Sequence, residues 1–183
     1  MNEEYKFNTG KAEAIEGEFE TAANLQFEFM DLIDLIFEDP RWEATGISAW
    51  VEAVGAIVTD YLSLPSDAEA VILACDDARI RGLNTEFRDK SKATNVLSWP
   101  TEDLSADVAG DLPLSVEDPD LGNIAIAYET CVAEAADQGK QFSEHVTHLL
   151  IHGILHLLGY DHIEDADADL MERTEVEILA KLH

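Results

Sequence analysis

Three histidines near the C-terminus, His152, His156 and His162, carry the strongest chemical signal in this 183-residue chain. Their spacing is H-x3-H-x2-G-x2-H. His152 and His156 stand at i and i+4, so on a helix they lie one turn apart on one face and can reach a single ion. Gly159 can end that helix in a left-handed conformation, and Tyr160-Asp161 then turns the chain so that His162 comes back toward the same point. The surrounding segment, LLIHGILHLLG, is apolar on every side and predicts a buried helix. Imidazole nitrogens buried among leucines cost a few kcal/mol unless each finds a partner. Three neutral imidazoles leave a fourth position of a tetrahedral zinc open to water, the arrangement of catalytic rather than closed structural sites.

The spacing equals that of metzincin proteases, H-E-x-x-H-x-x-G-x-x-H, with one departure. Gly153 stands where those enzymes carry the glutamate that acts as general base. Peptide hydrolysis by that route therefore lacks its base. His145 and His148 precede the cluster by one or two turns; each reads as a surface or satisfied helix histidine, with His148 also placed for a supporting contact to the site. Asp161 reads either as an acceptor orienting an imidazole or as a turn former.

A second feature is electrostatic. The chain has 39 acidic and 11 basic residues, a formal net charge of -28. That balance by itself disfavours nucleic acid, because affinity for phosphate comes from basic side chains. Yet Arg79, Arg81, Arg88, Lys90 and Lys92 are five of the eleven cations, gathered in one short stretch. A local field of that kind attracts an anion even where the whole molecule repels it. Metal ion and guanidinium together suit a phosphodiester transition state, whose equatorial oxygens gain negative charge.

The elements that must position these residues follow from patterning. FMDLIDLIFEDPRW predicts a buried strand that stops at Asp39-Pro40, and residues 47 to 64 have helical apolar spacing closed by Pro65. AEAVILACDD predicts a buried strand, with Asp76 or Asp77 capping a helix through ARIRGLNTEF. TNVLSWP is a short strand stopped by Pro100, residues 101–121 form a long and flexible loop, and GNIAIAYET is a fourth, alternating strand. Helices follow in ETCVAEAADQG, from Ser143 to Leu158, and in ADADLMERTEVEILAKL. The expected fold is one α/β (α+β) domain over residues 28–183, a small mixed four-stranded sheet packed against about five helices. Residues 1–27 read as an acidic, poorly ordered tail. The start of the chain lacks a basic segment followed by an apolar block, and no stretch is apolar enough to span a bilayer. Cys75 and Cys131 read as reduced, buried residues, which fits a cytoplasmic protein.

At HGILHLLGYDH the chain resembles the YbeY family of bacterial endoribonucleases, whose signature is H-G-x-L-H-L-x-G-Y-D-H. LNTEFRDKSKATNVLSWP resembles the family's LNxxYRxKxxPTNVLSFP segment, and LGNIAIAYETC its LGDIxI strand and following helix. The likeness spans roughly residues 30 to 183. Phe87, Ser91, Ala93, Trp99 and Asn123 depart from the usual Tyr, Asp, Pro, Phe and Asp.

The resemblance implies a single α/β domain with the metal in a cleft and one Zn2+ on His152, His156 and His162. It further implies a functional arginine at Arg88, and cytoplasmic action in 16S rRNA 3′ end maturation and ribosome quality control. The expected partners are rRNA and small-subunit ribosomal particles, with neither DNA nor membrane among them. Lys90 and Lys92 would place the RNA backbone beside Arg88. Two other readings stay open from the residues: a non-catalytic zinc-containing ribosome-assembly factor, and a zinc hydrolase of another substrate class.

Overall fold

The computed structural model describes residues 32–182; the tail expected at 1–27 lies outside them. Four strands, β1 (Ile33–Phe37), β2 (Glu69–Cys75), β3 (Val96–Pro100) and β4 (Asp120–Ala127), form one mixed sheet of order β1-β2-β4-β3. β1, β2 and β4 run parallel, and β3 is antiparallel to β4, with Ser98 opposite Ile124. Five helices complete the fold: α1 (Ile47–Leu62), α2 (Asp77–Arg88), α3 (Tyr128–Asp137), α4 (Phe142–Leu157) and α5 (Asp165–Leu179). The expected strand and helix order is all present.

Side-chain alternation divides the core between the two sheet faces. Ile72, Ala74, Ile124 and Ile126 join Val54 and Val58 of α1, Leu150 and Ile154 of α4, and Met171 and Ile178 of α5. On the other face Leu73, Cys75, Leu97, Ala125 and Ala127 pack with Ile80 and Leu83 of α2. Each fully buried Leu or Ile contributes roughly 1.5–3 kcal/mol, so the larger face dominates the burial energy.

Local chemistry sets the boundaries. α1 ends when Ser63 takes a left-handed conformation at φ 53, just before Pro65. Asp76 caps α2 by accepting from the Arg79 N–H at 2.7 Å. Trp42 is fully buried, and its indole donates to the Cys75 carbonyl at 2.9 Å, tying the segment after β1 to the end of β2. Both cysteines are buried and neither is in a disulfide.

Two strand expectations are corrected. β1 is a sheet edge rather than a buried strand, with Asp34 and Ile36 exposed, because no element covers its outer face. β4 is buried along nearly its whole length; its alternation is of size, with isoleucine toward α4 and alanine toward α2. The loop expected over 101–121 stops at Pro119, before β4 begins at Asp120, and it is tethered rather than loose. Leu114 N–H donates to the Leu104 carbonyl at 2.8 Å, and Gly110 N–H to Asp167 Oδ1 at 2.7 Å.

Candidate metal centre

α4 is the element that builds the site. Its residues Leu149, Leu150, Ile151, Ile154, Leu155 and Leu157 are buried, so the helix can rotate little, and His152 and His156 are held on its remaining, half-buried stripe. Gly153 explains how the helix lies so close to the sheet. A Cβ there would stand 3.1 Å from Ile124 Cδ1 and 3.3 Å from Ser98 Oγ, and the Ser98 hydroxyl donates to the Gly153 carbonyl at 3.1 Å. The position of the protease glutamate thus points into the sheet in this chain. α4 stops at Gly159, at φ 84 with Leu104 packed against it, and His162 returns on the following turn, exposed.

One ligand-type nitrogen from each of His152, His156 and His162 lies within 4.8 Å of the others. The rings are oriented from behind. His152 Nδ1 donates to Glu175 Oε1 at 2.7 Å, since an ionised carboxylate can only accept. His156 Nδ1 donates to the Tyr160 carbonyl at 3.0 Å. In the neutral rings this places both lone pairs on Nε2, and these two nitrogens face each other at 3.1 Å. Two lone pairs so placed repel unless a cation lies between them. Tetrahedral zinc with bonds of about 2.0–2.1 Å holds neighbouring nitrogens about 3.3 Å apart, so the pair fits such an ion. Burial, then the neighbouring His152 and His162, pushes His156 down to about 4, which keeps it in the neutral form that a metal requires.

Glu175, on α5, is a site residue that the sequence reading missed. Its two oxygens take His152 and, at 2.9 Å, His148 Nε2. Burial raises its pKa, but the two histidine hydrogen bonds outweigh this and bring it to about 2. The available signal was its place on the buried stripe of α5, one turn after Met171 and before Ile178. A carboxylate on an apolar stripe needs a partner.

His148 is therefore a supporting residue, held on Glu175. His145 is buried rather than at the surface; its Nε2 donates to Glu134 Oε2 at 3.0 Å, away from the cluster. Asp161 is the turn former, accepting from the His162 N–H at 2.7 Å. No further His, Cys, Asp or Glu joins the ligand group among the described residues. Two nearby hollows, one lined by Ser105, Asp161 and Asp167 and the other by Tyr61, Leu112 and Leu158, have no histidine in their walls.

Arg88, Lys90 and Lys92 are not part of the histidine cluster. They lie at the end of α2 and just beyond it, on the sheet face opposite α4. β3 is contacted from both sides: Phe87 packs on Trp99, with ring centroids 5.2 Å apart, while Gly153 packs on Ser98. All three cations are exposed, and among the described residues none forms an ion pair. Arg79 does, at 2.9 Å from Glu38.

The family model for Endoribonuclease YbeY matches residues 36–183. The chain belongs to the YbeY family. It is 51% identical to Endoribonuclease YbeY of Jannaschia sp. (strain CCS1), over 82% of this chain and 95% of that one. Against Endoribonuclease YbeY of Paracoccus denitrificans (strain Pd 1222) the identity is 47%, over 88% and 92%. The solution structure of TM1509 from Thermotoga maritima matches with a TM-score of 0.56 and 23% identity, over 82% of this chain and 88% of that one. That likeness shows a shared fold. Among the described residues of this YbeY family member, no helix is long and apolar enough to cross a membrane.

Proposed function

We propose that this chain is a zinc-dependent endoribonuclease of single-stranded RNA, acting in the cytoplasm on small-subunit particles in 16S rRNA 3′ end maturation and ribosome quality control. The observation that carries the reading is the convergence of three imidazole nitrogens within 4.8 Å, two of them aimed by hydrogen bonds on the opposite ring nitrogen. The nuclease names of the relatives support the substrate class.

When bound, zinc supplies a Lewis acid and lowers the pKa of its water to about 7. His152, His156 and the exposed His162 would hold it. Glu175 and the Tyr160 carbonyl keep the proton of each buried ring on Nδ1. The Arg88 guanidinium, which pairs with no carboxylate among the described residues, would grip a phosphate through two N–H groups, and Lys90 and Lys92 would hold the adjoining backbone. The amide-hydrolase reading loses ground on geometry. Glu175, the carboxylate nearest the cluster in hydrogen-bond terms, is spent on the far edge of the His152 ring. A structural zinc would ask for a fourth protein ligand, and among the described residues none joins the three histidines.

The test is elemental analysis joined to cleavage of a single-stranded rRNA fragment. The wild type should carry one zinc per chain and cleave the strand. Arg88→Ala should keep zinc and fold while cleavage falls about tenfold or more, in line with loss of a charge-stabilising group. His156→Ala should lose both zinc and stability. Zinc retained at full stoichiometry in His156→Ala, or undiminished cleavage by Arg88→Ala, would remove that residue from the mechanism.

A further inference from the structure

The buried face of α2 consists of Ile80, Leu83 and Asn84. Asn84 is only 5% exposed, so an amide stands on an apolar stripe, where it is costly unless it finds a partner. A leucine would pack there at no such cost. The partners lie in the turn beyond the helix. Asn84 Nδ2 donates to the Lys92 carbonyl at 2.8 Å, and the Asn84 carbonyl accepts from the N–H groups of Asp89 and, at 3.2 Å, of Lys90. Asp89 takes a left-handed conformation at φ 55, uncommon for a residue with a Cβ, to make this turn. The neighbouring Thr85 hydroxyl spends its proton on the Arg81 carbonyl of the same helix at 2.8 Å, and comes only within 3.4 Å of the Lys90 carbonyl. The turn is thus folded back over the end of α2 and tied there by a buried side chain. Arg88, Lys90 and Lys92 are exposed on it, and among the described residues they form no ion pair, although Glu86 and Asp89 are beside them in sequence.

We propose that Asn84 is a positioning residue: its buried amide fixes the turn that carries Lys90 and Lys92, so that these two and Arg88 meet the phosphates of one strand as a preformed set. This rests on the endoribonuclease reading and adds to it the residue that arranges the cationic surface. Being buried, Asn84 touches no phosphate; it acts through the backbone of Lys90 and Lys92. A loop lysine loses backbone and side-chain freedom when it is ordered on a phosphate. A turn held in advance has less left to lose, so more of the electrostatic attraction appears as affinity.

The experiment measures cleavage of a single-stranded oligoribonucleotide by the metal-loaded full chain over a range of salt. Asn84→Leu keeps the branched shape, extends the stripe of Ile80 and Leu83, and removes the donor to Lys92. It should raise KM about tenfold, with kcat and zinc content unchanged and the melting temperature no lower than that of the wild type. The log–log salt slope should shrink from about -2, for three phosphate contacts, to about -0.7, for one. Asn84→Ala, which leaves a gap in place of the amide, should show the same KM and slope whatever melting temperature it loses. Lys90→Ala with Lys92→Ala should raise KM to a similar degree, and adding Asn84→Leu to that pair should cost nothing more. A tie that serves stability alone would lower the melting temperature and leave KM and slope at wild-type values, which overturns the proposal. Additive losses in the triple variant, an unchanged KM in the lysine pair, or a fall in kcat alone would overturn it too. In each of these cases the wild type still cleaves and the nuclease reading stands. Absence of cleavage by the wild type would instead sink that reading, and the inference with it.

Discussion

Glu175 shows how one carboxylate can orient a candidate metal site without joining its ligand group. Its oxygens are divided between His148 and His152, so it sets the ring orientation and tautomer of one candidate ligand and is itself braced by a second histidine. Such orienting partners typically contribute 10–100-fold to metal affinity. Glu175→Gln keeps the shape but offers one acceptor and one donor group to two donating rings. We expect zinc affinity to fall by about that factor, read by competition against a coloured chelator, with the fold retained by circular dichroism. An unchanged affinity would show that the rings are oriented by packing alone.

At the scale of elements, the decisive contact is that of α4 with β3 and β4 through Gly153. Because the helix lies against Ile124 and Ser98 there, its opposite stripe is presented at a fixed height above the sheet. Gly153→Glu, which recreates the protease sequence, would force a carboxylate into the contact with Ile124 and Ser98, where no cation faces it among the groups that a side chain there would meet. Overpacking and an unpaired buried charge together cost about 3 kcal/mol or more. At roughly 2–4 °C per kcal/mol for a chain of this size, the melting temperature should drop by about 6–12 °C. Calorimetry on the metal-loaded protein decides this, and an unaltered transition would mean that α4 can lift from the sheet.

At the scale of the whole molecule, charge dominates. With a net charge of -28 the chain repels itself, and among the described residues the carboxylate pairs to Lys or Arg involve only Arg41 and Arg79. Salt screens that repulsion more than it weakens so few exposed pairs. The melting temperature should therefore rise between 10 mM and about 0.5 M salt, as thermal scans can show; a fall would mean that ion pairs outweigh repulsion. The same field repels a polyanion from a distance, so Arg88, Lys90 and Lys92, which form no ion pair among the described residues, would attract one only at short range.

The elements and the three-histidine cluster were legible in the chain itself, because both depend on local spacing. Alternation, helical period, an aspartate cap at Asp76 or Asp77, the Gly159 stop and the i, i+4 pair all act within a few residues. The edge position of β1, the double burial of β4 and the tethers of the loop between β3 and β4 were not legible, since each depends on which element lies alongside. Glu175 belongs to the same class: it meets His152 across 23 residues of sequence, and only the packing of α5 on α4 brings it there. Likewise the sequence paired Arg88 with the histidines by chemical type alone, and the sheet places the helices that carry them, α2 and α4, on its two faces. Local backbone and side-chain physics determined what the histidine cluster is made of; layer packing decided which distant residue orients it, because that depends on which helix lies alongside.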